Sequence, residues 1–294
     1  MSKRNLKHNT HFFGVAIILL SSLCFAVVPT AAKTALDLNS SLFVLLLSRC
    51  LIGFLFLMPI AIFLRKSILV DKNVILPIFF SSIVSVCLIA STYHALQFLD
   101  VAIVLIIMYS FPLGIATITH IRREESIKLT QWICMIFTII GIAIVGSGGS
   151  FQNNLYGISV SFISLILMII FMYYSSKLVD RIGSLTFNLH MNVWNLFFLV
   201  AAYLFFNFPI SIPITNEGKF ALFCNGIFYI LSYTLFFIGS RQIGITKASV
   251  LASSEPLFAA VFALIFLKQY LSLLECFGFL LTLGSLYFYQ RYKT

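Results

Sequence analysis

A chain of 294 residues that is 61% hydrophobic and 10% charged, with a mean hydropathy of +1.05, does not fit a soluble domain. Such domains carry about 25% charged residues and lack the interior volume for so much Leu, Ile and Phe. The formal charge of +10 would point to a nucleic-acid partner in a soluble protein, but here the basic residues fall in short clusters between apolar runs. They read as topology signals, and no nucleic-acid partner is expected.

Runs of about 20 apolar residues, enough to cross a bilayer as a helix, fall at 13–32, 42–64, 74–97, 101–120, 129–147, 155–176, 186–208, 219–240, 246–267 and 271–289. The first follows the basic stretch "MSKRNLKHN", as a signal peptide would. Its length and the nine runs behind it predict an uncleaved first span. With the N-terminus inside, fifteen Lys and Arg residues lie on the inner side. Three (Lys33, Lys219 and Lys268) lie outside and are expected to be solvated loop charges, and Arg49 lies within the second run. This asymmetry predicts a multi-pass protein of the bacterial inner membrane with both termini cytoplasmic. The connections are short, so no soluble domain is expected. The six cysteines, Cys24, Cys50, Cys87, Cys134, Cys224 and Cys276, lie within apolar runs without a CxxC pair, and are expected neither as disulfides nor as metal ligands.

Sliding the chain on itself by 144 residues sets "SFPLGIATITHI" over "SEPLFAAVFALI". Ser110 then meets Ser254, Pro112 meets Pro256, and further along Leu129 meets Leu273 and Thr138 meets Thr282. Five spans per copy is an odd number, so the second copy enters the membrane from the opposite side. The predicted fold is therefore an all-α integral membrane protein, ten transmembrane helices in two inverted five-helix repeats. The first repeat covers 13–147 and the second 148–290, with tails at 1–12 and 291–294. Inverted repeats with helices broken near the midplane are the architecture of secondary transporters, and Pro112 and Pro256 are the expected hinges.

Arg49 in "LLLSRCLIGFLFL", the stretch "YHALQFLDVAIVLIIMYSFPL", and the pair "REESIKLTQWICMIFTIIGIAIV" and "LKQYLSLLECFGFLLTLGSLYF" together resemble the drug/metabolite transporter superfamily, in its EamA-like form. The likeness runs from about Phe13 to Tyr289. That family pattern ends the fourth and ninth spans with Gly-Glu, followed by Gln-x-x-Gly. Here Glu125 and Gln131 are kept while Cys134 replaces a glycine; in the second copy Gly278 is kept while Gln269 and Glu275 replace the acid and the Gln. The resemblance implies a carrier but not its cargo, since the superfamily includes amino-acid exporters, S-adenosylmethionine carriers and sugar-phosphate relatives.

Among single residues Glu255 comes first. It lies roughly 13 Å from the inner end of its span at 1.5 Å per residue, and a carboxylate at that depth faces a cavity, a partner or a proton path. Its rival role is a structural Glu bonded to a neighbouring helix. Arg49, roughly 10 Å from the outer end of the second span, is expected to bind an anionic group or to neutralise Glu255; snorkelling is its alternative. Polar stripes at i, i+4, i+7 occur at Asn188, Asn192 and Asn195, and at Asn225, Tyr229 and Ser232 with Tyr233 alongside; Ser81, Ser85 and Thr92 share a third face. They line a wet cavity or join helices; the first two stripes are assigned to the cavity and the third to helix joining. Tyr93 and Tyr109 are further lining candidates, His94 a structural one. The expected substrate-binding set is Glu255, Arg49, Tyr93, Tyr109, Asn192, Asn195, Tyr229 and Tyr233.

There is no P-loop, HExxH, GxSxG or Cys/His cluster, so neither an enzyme, a cofactor nor a metal is expected. The expected function is alternating-access transport of a small polar or amphipathic metabolite, exporting an amino-acid-like compound, with proton coupling as an option and membrane lipid as the other partner. Uptake of an S-adenosylmethionine- or nucleotide-like compound is the alternative. A membrane-embedded enzyme acting on lipid precursors is a third reading, resting on the cluster Arg122, Arg123, Glu124 and Glu125.

Overall fold

The computed structural model describes residues 3–63, 69–108, 110–124, 126–147, 154–252, 254–268, 270 and 272–291. Tyr109, Glu125 and Gln269 lie outside the described residues, as do the side chains of Pro256 and Glu275. The described chain folds into twelve helices: α1 (Lys3–Asp37), α2 (Leu42–Phe63), α3 (Lys72–Ala95), α4 (Val101–Met108), α5 (Phe111–Ile121), α6 (Leu129–Ser147), α7 (Leu155–Ile182), α8 (Ser184–Phe206), α9 (Asn216–Ile243), α10 (Ile245–Ala252), α11 (Glu255–Leu267) and α12 (Leu273–Arg291). Among the described residues seven helical stretches are long and apolar enough to cross a membrane: Phe13–Asp37 of α1, the whole of α2, α3, α7, α8 and α9, and Ile103–Ile121, which joins α4 to α5. Helices α6 and α12 hold shorter apolar stretches. The outside carries large apolar side chains such as Leu55, Phe56, Phe205, Phe220 and Phe266, a surface suited to hydrocarbon.

Two runs are interrupted rather than continuous. Helix α4 stops at Met108 and α5 starts at Phe111; α10 stops at Ala252 and α11 starts at Glu255. At each break a serine folds back one turn. Ser110 gives both its amide and its hydroxyl to the Ile107 carbonyl (3.2 and 2.7 Å), and Ser254 gives both to Leu251 (3.1 and 2.9 Å). Pro112 and Pro256 each fall in the first turn of the new helix, where a missing N–H leaves no carbonyl short of a partner. The prolines therefore start helices instead of bending them.

The helix pairs follow where the sequence is small. Helix α1 packs along α9, α3 along α7, α2 against both α8 and α9, and α6 against α12. A Cβ on Gly239 would come 2.6 Å from Ile18, and one on Gly14 would come 2.7 Å from Ile243. Ser21 donates across the same seam to the Ser232 carbonyl (2.8 Å). Such small and hydroxylic residues let helices approach in lipid, where apolar side chains gain little by leaving the solvent. Under the 144-residue shift α1 becomes α7 and α3 becomes α9, so the α1–α9 pair turns into the α7–α3 pair. The α2–α8 and α6–α12 pairs map onto themselves.

Gln131 is buried, and its Oε1 accepts from the Lys128 amide at 2.8 Å, the back-reaching half of a capping box at the start of α6. Lys33 departs from expectation. It is not a loop charge but a half-buried residue of α1 that donates to the Leu96 carbonyl (2.7 Å) and pairs with Asp37 (3.5 Å). The apolar run ends before it, but the helix continues to Asp37 because the long lysine side chain carries its charge to the helix end.

In the α6–α12 seam the hydroxyls of Thr138 and Thr282 donate to the carbonyls four residues back (both 2.9 Å). A Cβ on Gly141 would press on the Thr282 hydroxyl and come 2.8 Å from the Gly278 carbonyl. Backbone cannot move aside as a flexible side chain can. Gly141→Leu is expected to destabilise the fold by about 1–3 kcal/mol, read as a lower unfolding temperature in detergent; an unchanged temperature would show that this seam is not closely packed.

Candidate functional site

The densest polar arrangement in the core is built around Arg49. Helix α2 buries its side chain to 4% exposure. Nη1 donates to the Tyr93 hydroxyl on α3 (2.5 Å), and the guanidinium carbon lies 3.5 Å from the centre of the Tyr229 ring on α9. A desolvated cation over an aromatic face is stabilised by up to about 2 kcal/mol. The Tyr93 hydroxyl also accepts from Asn225 Nδ2 (2.8 Å), and the same nitrogen donates to the Val28 carbonyl on α1 (3.0 Å). One charged side chain thus holds α2, α3 and α9 in register, with α1 attached through Asn225. Arg49 Nε keeps a hydrogen-bond donor without a partner.

Glu255 is the first residue of α11, at the break, where the helix end favours a negative charge. It is 3% exposed and its Oε2 has no hydrogen-bond partner. Arg49 and Glu255 line one cavity of about 60 Å³ together with Tyr93, Tyr233, Met108 and Met168. They form no ion pair: the two pairs among the described residues are Lys33–Asp37 and Lys177–Glu124. The expectation that Arg49 neutralises Glu255 directly is therefore not met. Room for a few water molecules lies between a free donor edge and a free acceptor. The volume is below the roughly 300 Å³ at which pockets for drug-sized molecules begin.

Five of the eight residues of the expected substrate-binding set converge here, Arg49, Tyr93, Tyr229, Tyr233 and Glu255, and Thr92, expected to join helices, also lines the cavity. Tyr233 is held by edge contacts to Phe25 (4.8 Å between centroids) and Tyr229 (5.1 Å). Asn192 and Asn195 do not line this cavity. Asn192 Nδ2 donates to the Asn188 carbonyl (2.8 Å), and its Oδ1 lies where a Cβ on Gly53 of α2 would sit 2.5 Å away. The Asn195 amide lies against Ser85 and the Ser82 carbonyl of α3. That stripe joins α8 to α2 and α3 because a glycine and a serine on the facing helices admit it. Tyr109 lies outside the described residues. His94 stands at the edge of the bundle, with Nε2 3.0 Å from the Tyr156 hydroxyl. Sequence reading placed Asn225 in a polar stripe but left it out of the binding set. The partnership that distinguishes it, with Tyr93 on another helix, has no signature in spacing.

The two copies differ at this site. Shifted by 144 residues, Glu255 falls on Phe111 and Arg49 on Val193, both apolar. The breaks are shared, but the charges are not.

A helical bundle with an apolar exterior, two broken helices and a buried cation and carboxylate beside one break is a multi-pass membrane protein built as transporters are. The model of the EamA-like transporter family matches residues 12–147 and again 155–290, so the chain belongs to the EamA-like transporter family of the drug/metabolite transporter superfamily. A solved structure described only as "Crystal structure of protein" superposes with a TM-score of 0.68 at 16% identity, over 98% of this chain and 99% of the other; at that identity the likeness concerns the fold. No curated protein matches the chain.

Tyr93→Phe removes the acceptor shared by Arg49 and Asn225 and leaves both donors buried. The variant is expected to lose about 1–3 kcal/mol of stability, measured as thermal unfolding of the purified protein in detergent. A wild-type unfolding temperature would mean that the hydroxyl does not hold the network together.

Proposed function

We propose that this EamA-like protein is a secondary carrier that exports an amino-acid-like zwitterion by alternating access. In this reading ten spans form two inverted repeats, 13–147 and 148–290, in the inner membrane with both termini cytoplasmic. The α4–α5 and α10–α11 segments count as one broken span each, and α6 and α12 as one each. The exchange of helix pairs under the 144-residue shift supports that arrangement, as do the matched serine folds at Ser110 and Ser254.

The observation that carries the choice of cargo is the unpaired state of Arg49 and Glu255 in one cavity. An unpaired buried charge is costly in a membrane, and the arrangement persists if it serves a ligand with both signs. A substrate carboxylate takes the guanidinium edge and a substrate ammonium takes Glu255, while Tyr93 and Tyr233 wall the site. Admission requires the small cavity to widen, and the two breaks are where the helices yield without breaking further hydrogen bonds. Proton coupling through Glu255 is the variant of this mechanism in which the carboxylate takes a proton when the substrate leaves.

The test is a metabolite profile, inside and medium, of cells expressing the wild type, Glu255→Gln or an empty vector. The expected result is that one amino-acid-like compound moves outward with the wild type only. If Glu255→Gln moves the same compound with the same affinity and pH dependence, neither role for Glu255 stands. If the compound accumulates inside, the direction is uptake.

A further inference from the structure

A cavity of about 410 Å³, larger than the one at the Arg49–Glu255 site, lies elsewhere in the molecule. It lies between α3 and α7, towards the Lys72 end of one and the Ile182 end of the other. Its apolar walls are Phe80 and Val84 from α3 and Ile170 and Phe171 from α7; its other end carries Tyr174, Lys177 and Arg181. At about 1.5 Å per residue, Lys177 lies roughly 8 Å from the end of α7, whereas Val84 and Ile170 lie about 18 Å from theirs. The groove therefore has a cationic mouth near the membrane surface and an apolar floor towards the midplane. Phe80 and Tyr174 are 57% and 49% exposed, so it opens sideways, where lipid lies.

Its geometry follows from the helix pair. Near their other ends α3 and α7 come close, where Ser164 donates to Ser91 (2.8 Å), and a Cβ on Gly157 of α7 would come 2.9 Å from Leu99 in the turn after α3. Towards the Lys72 end the larger side chains of Pro77, Phe80 and Tyr174 line the cavity. The equivalent position in the α1–α9 pair is bridged by the bond from Asn225 to the Val28 carbonyl, which is where Ser81 of α3 falls under the 144-residue shift.

The charges at the mouth are not all spoken for. Glu124 accepts from both Lys177 (2.8 Å) and the Tyr173 hydroxyl (2.8 Å), and these hydrogen bonds hold it below the ordinary carboxylate range. It stays ionised and occupies Lys177. Arg181 has no ion-pair partner among the described residues, and Arg122 reaches the rim through the Tyr174 hydroxyl (3.5 Å). Among the described residues, Glu124 is ion-paired with Lys177, while Arg181 and Arg122 have no ion-pair partner.

We infer that the α3–α7 groove is a binding site for one anionic phospholipid of the inner leaflet, with its phosphate at Arg181, beside the Lys177–Glu124 pair, and an acyl chain along Phe80, Val84 and Phe171. Basic pockets between transmembrane helices on the cytoplasmic side take anionic headgroups in this way. The inference needs α3 and α7 to span the bilayer and rests on the proposed orientation with the Lys72 end cytoplasmic, but it is independent of what the protein carries.

The test is native mass spectrometry of the purified full chain in detergent, with phosphatidylglycerol and phosphatidylcholine of equal chain length added in competition. Wild type is expected to retain phosphatidylglycerol preferentially. Arg181→Gln, an exposed position without an ion-pair partner, is expected to reduce that preference about fivefold. Val84→Phe, which fills the floor and leaves the cations, is expected to reduce retention of both lipids. Lys268→Gln, at the far end of α11, is expected to change nothing. Wild-type preference in Arg181→Gln, or wild-type retention in Val84→Phe with helicity intact by circular dichroism, would overturn the site. Because the readout is lipid retention, its failure leaves the transport proposal standing, and failed transport leaves this one standing.

Discussion

In hydrocarbon a backbone amide or carbonyl has no water to turn to, so each must find its partner inside the chain. The bundle obeys this requirement along nearly its whole described length, and the helical ladder is interrupted at two places. At Ile107–Phe111 and Leu251–Glu255 the chain leaves one helix and begins another. The serine that folds back at each break takes up a carbonyl the helix has left behind. Proline in the first turn of the following helix means that the restart leaves no extra orphan. The breaks are thus chemically quiet in themselves, and what they expose is a helix end, with its partial charge, deep within the bundle.

Only one of those ends is given a carboxyl group to meet. Glu255 opens α11, while Phe111 opens α5. Opposite Glu255, across a space of about 60 Å³, Arg49 is held by a phenol hydroxyl and the face of a second ring. Those aromatic partners matter because they stabilise the guanidinium without neutralising it. A carboxylate partner would have closed the pair and removed any use for it; tyrosines leave both the positive charge and a free N–H in place. The small-residue seam of α1 with α9 and the Asn225 bridge to α1 pack around this arrangement.

Much of this was legible in the amino-acid sequence because lipid writes strong rules. The apolar runs locate the helices, although α1 and α7 extend beyond theirs, and the aligned Pro112 and Pro256 fall at the breaks, whereas Pro29, Pro59 and Pro77 lie inside unbroken helices. Arg49 and Glu255 stood out because charged residues are rare within such runs. What was not legible depends on helices being neighbours. The stripe of Asn192 and Asn195 has the same i, i+4, i+7 spacing whether it faces water or another helix, and Gly53 and Ser85 decide the matter from elsewhere in the chain. Lys33 was read as a loop residue because hydropathy falls there, although the helix does not. The stacking of Arg49 on Tyr229 joins residues 180 positions apart, and no local pattern encodes it.

The unlike charges of the central cavity have an electrical consequence. Moving one elementary charge through a membrane potential involves about 2.3 kcal/mol per 100 mV. With Arg49 and Glu255 both ionised the empty site sums to zero, and a zwitterion bound between them leaves the sum unchanged. In a carrier working as proposed, the reorientation of empty and loaded forms would run nearly free of the membrane voltage, so the concentration gradient of the cargo, and not the cell's electrical potential, would set the direction of net flow.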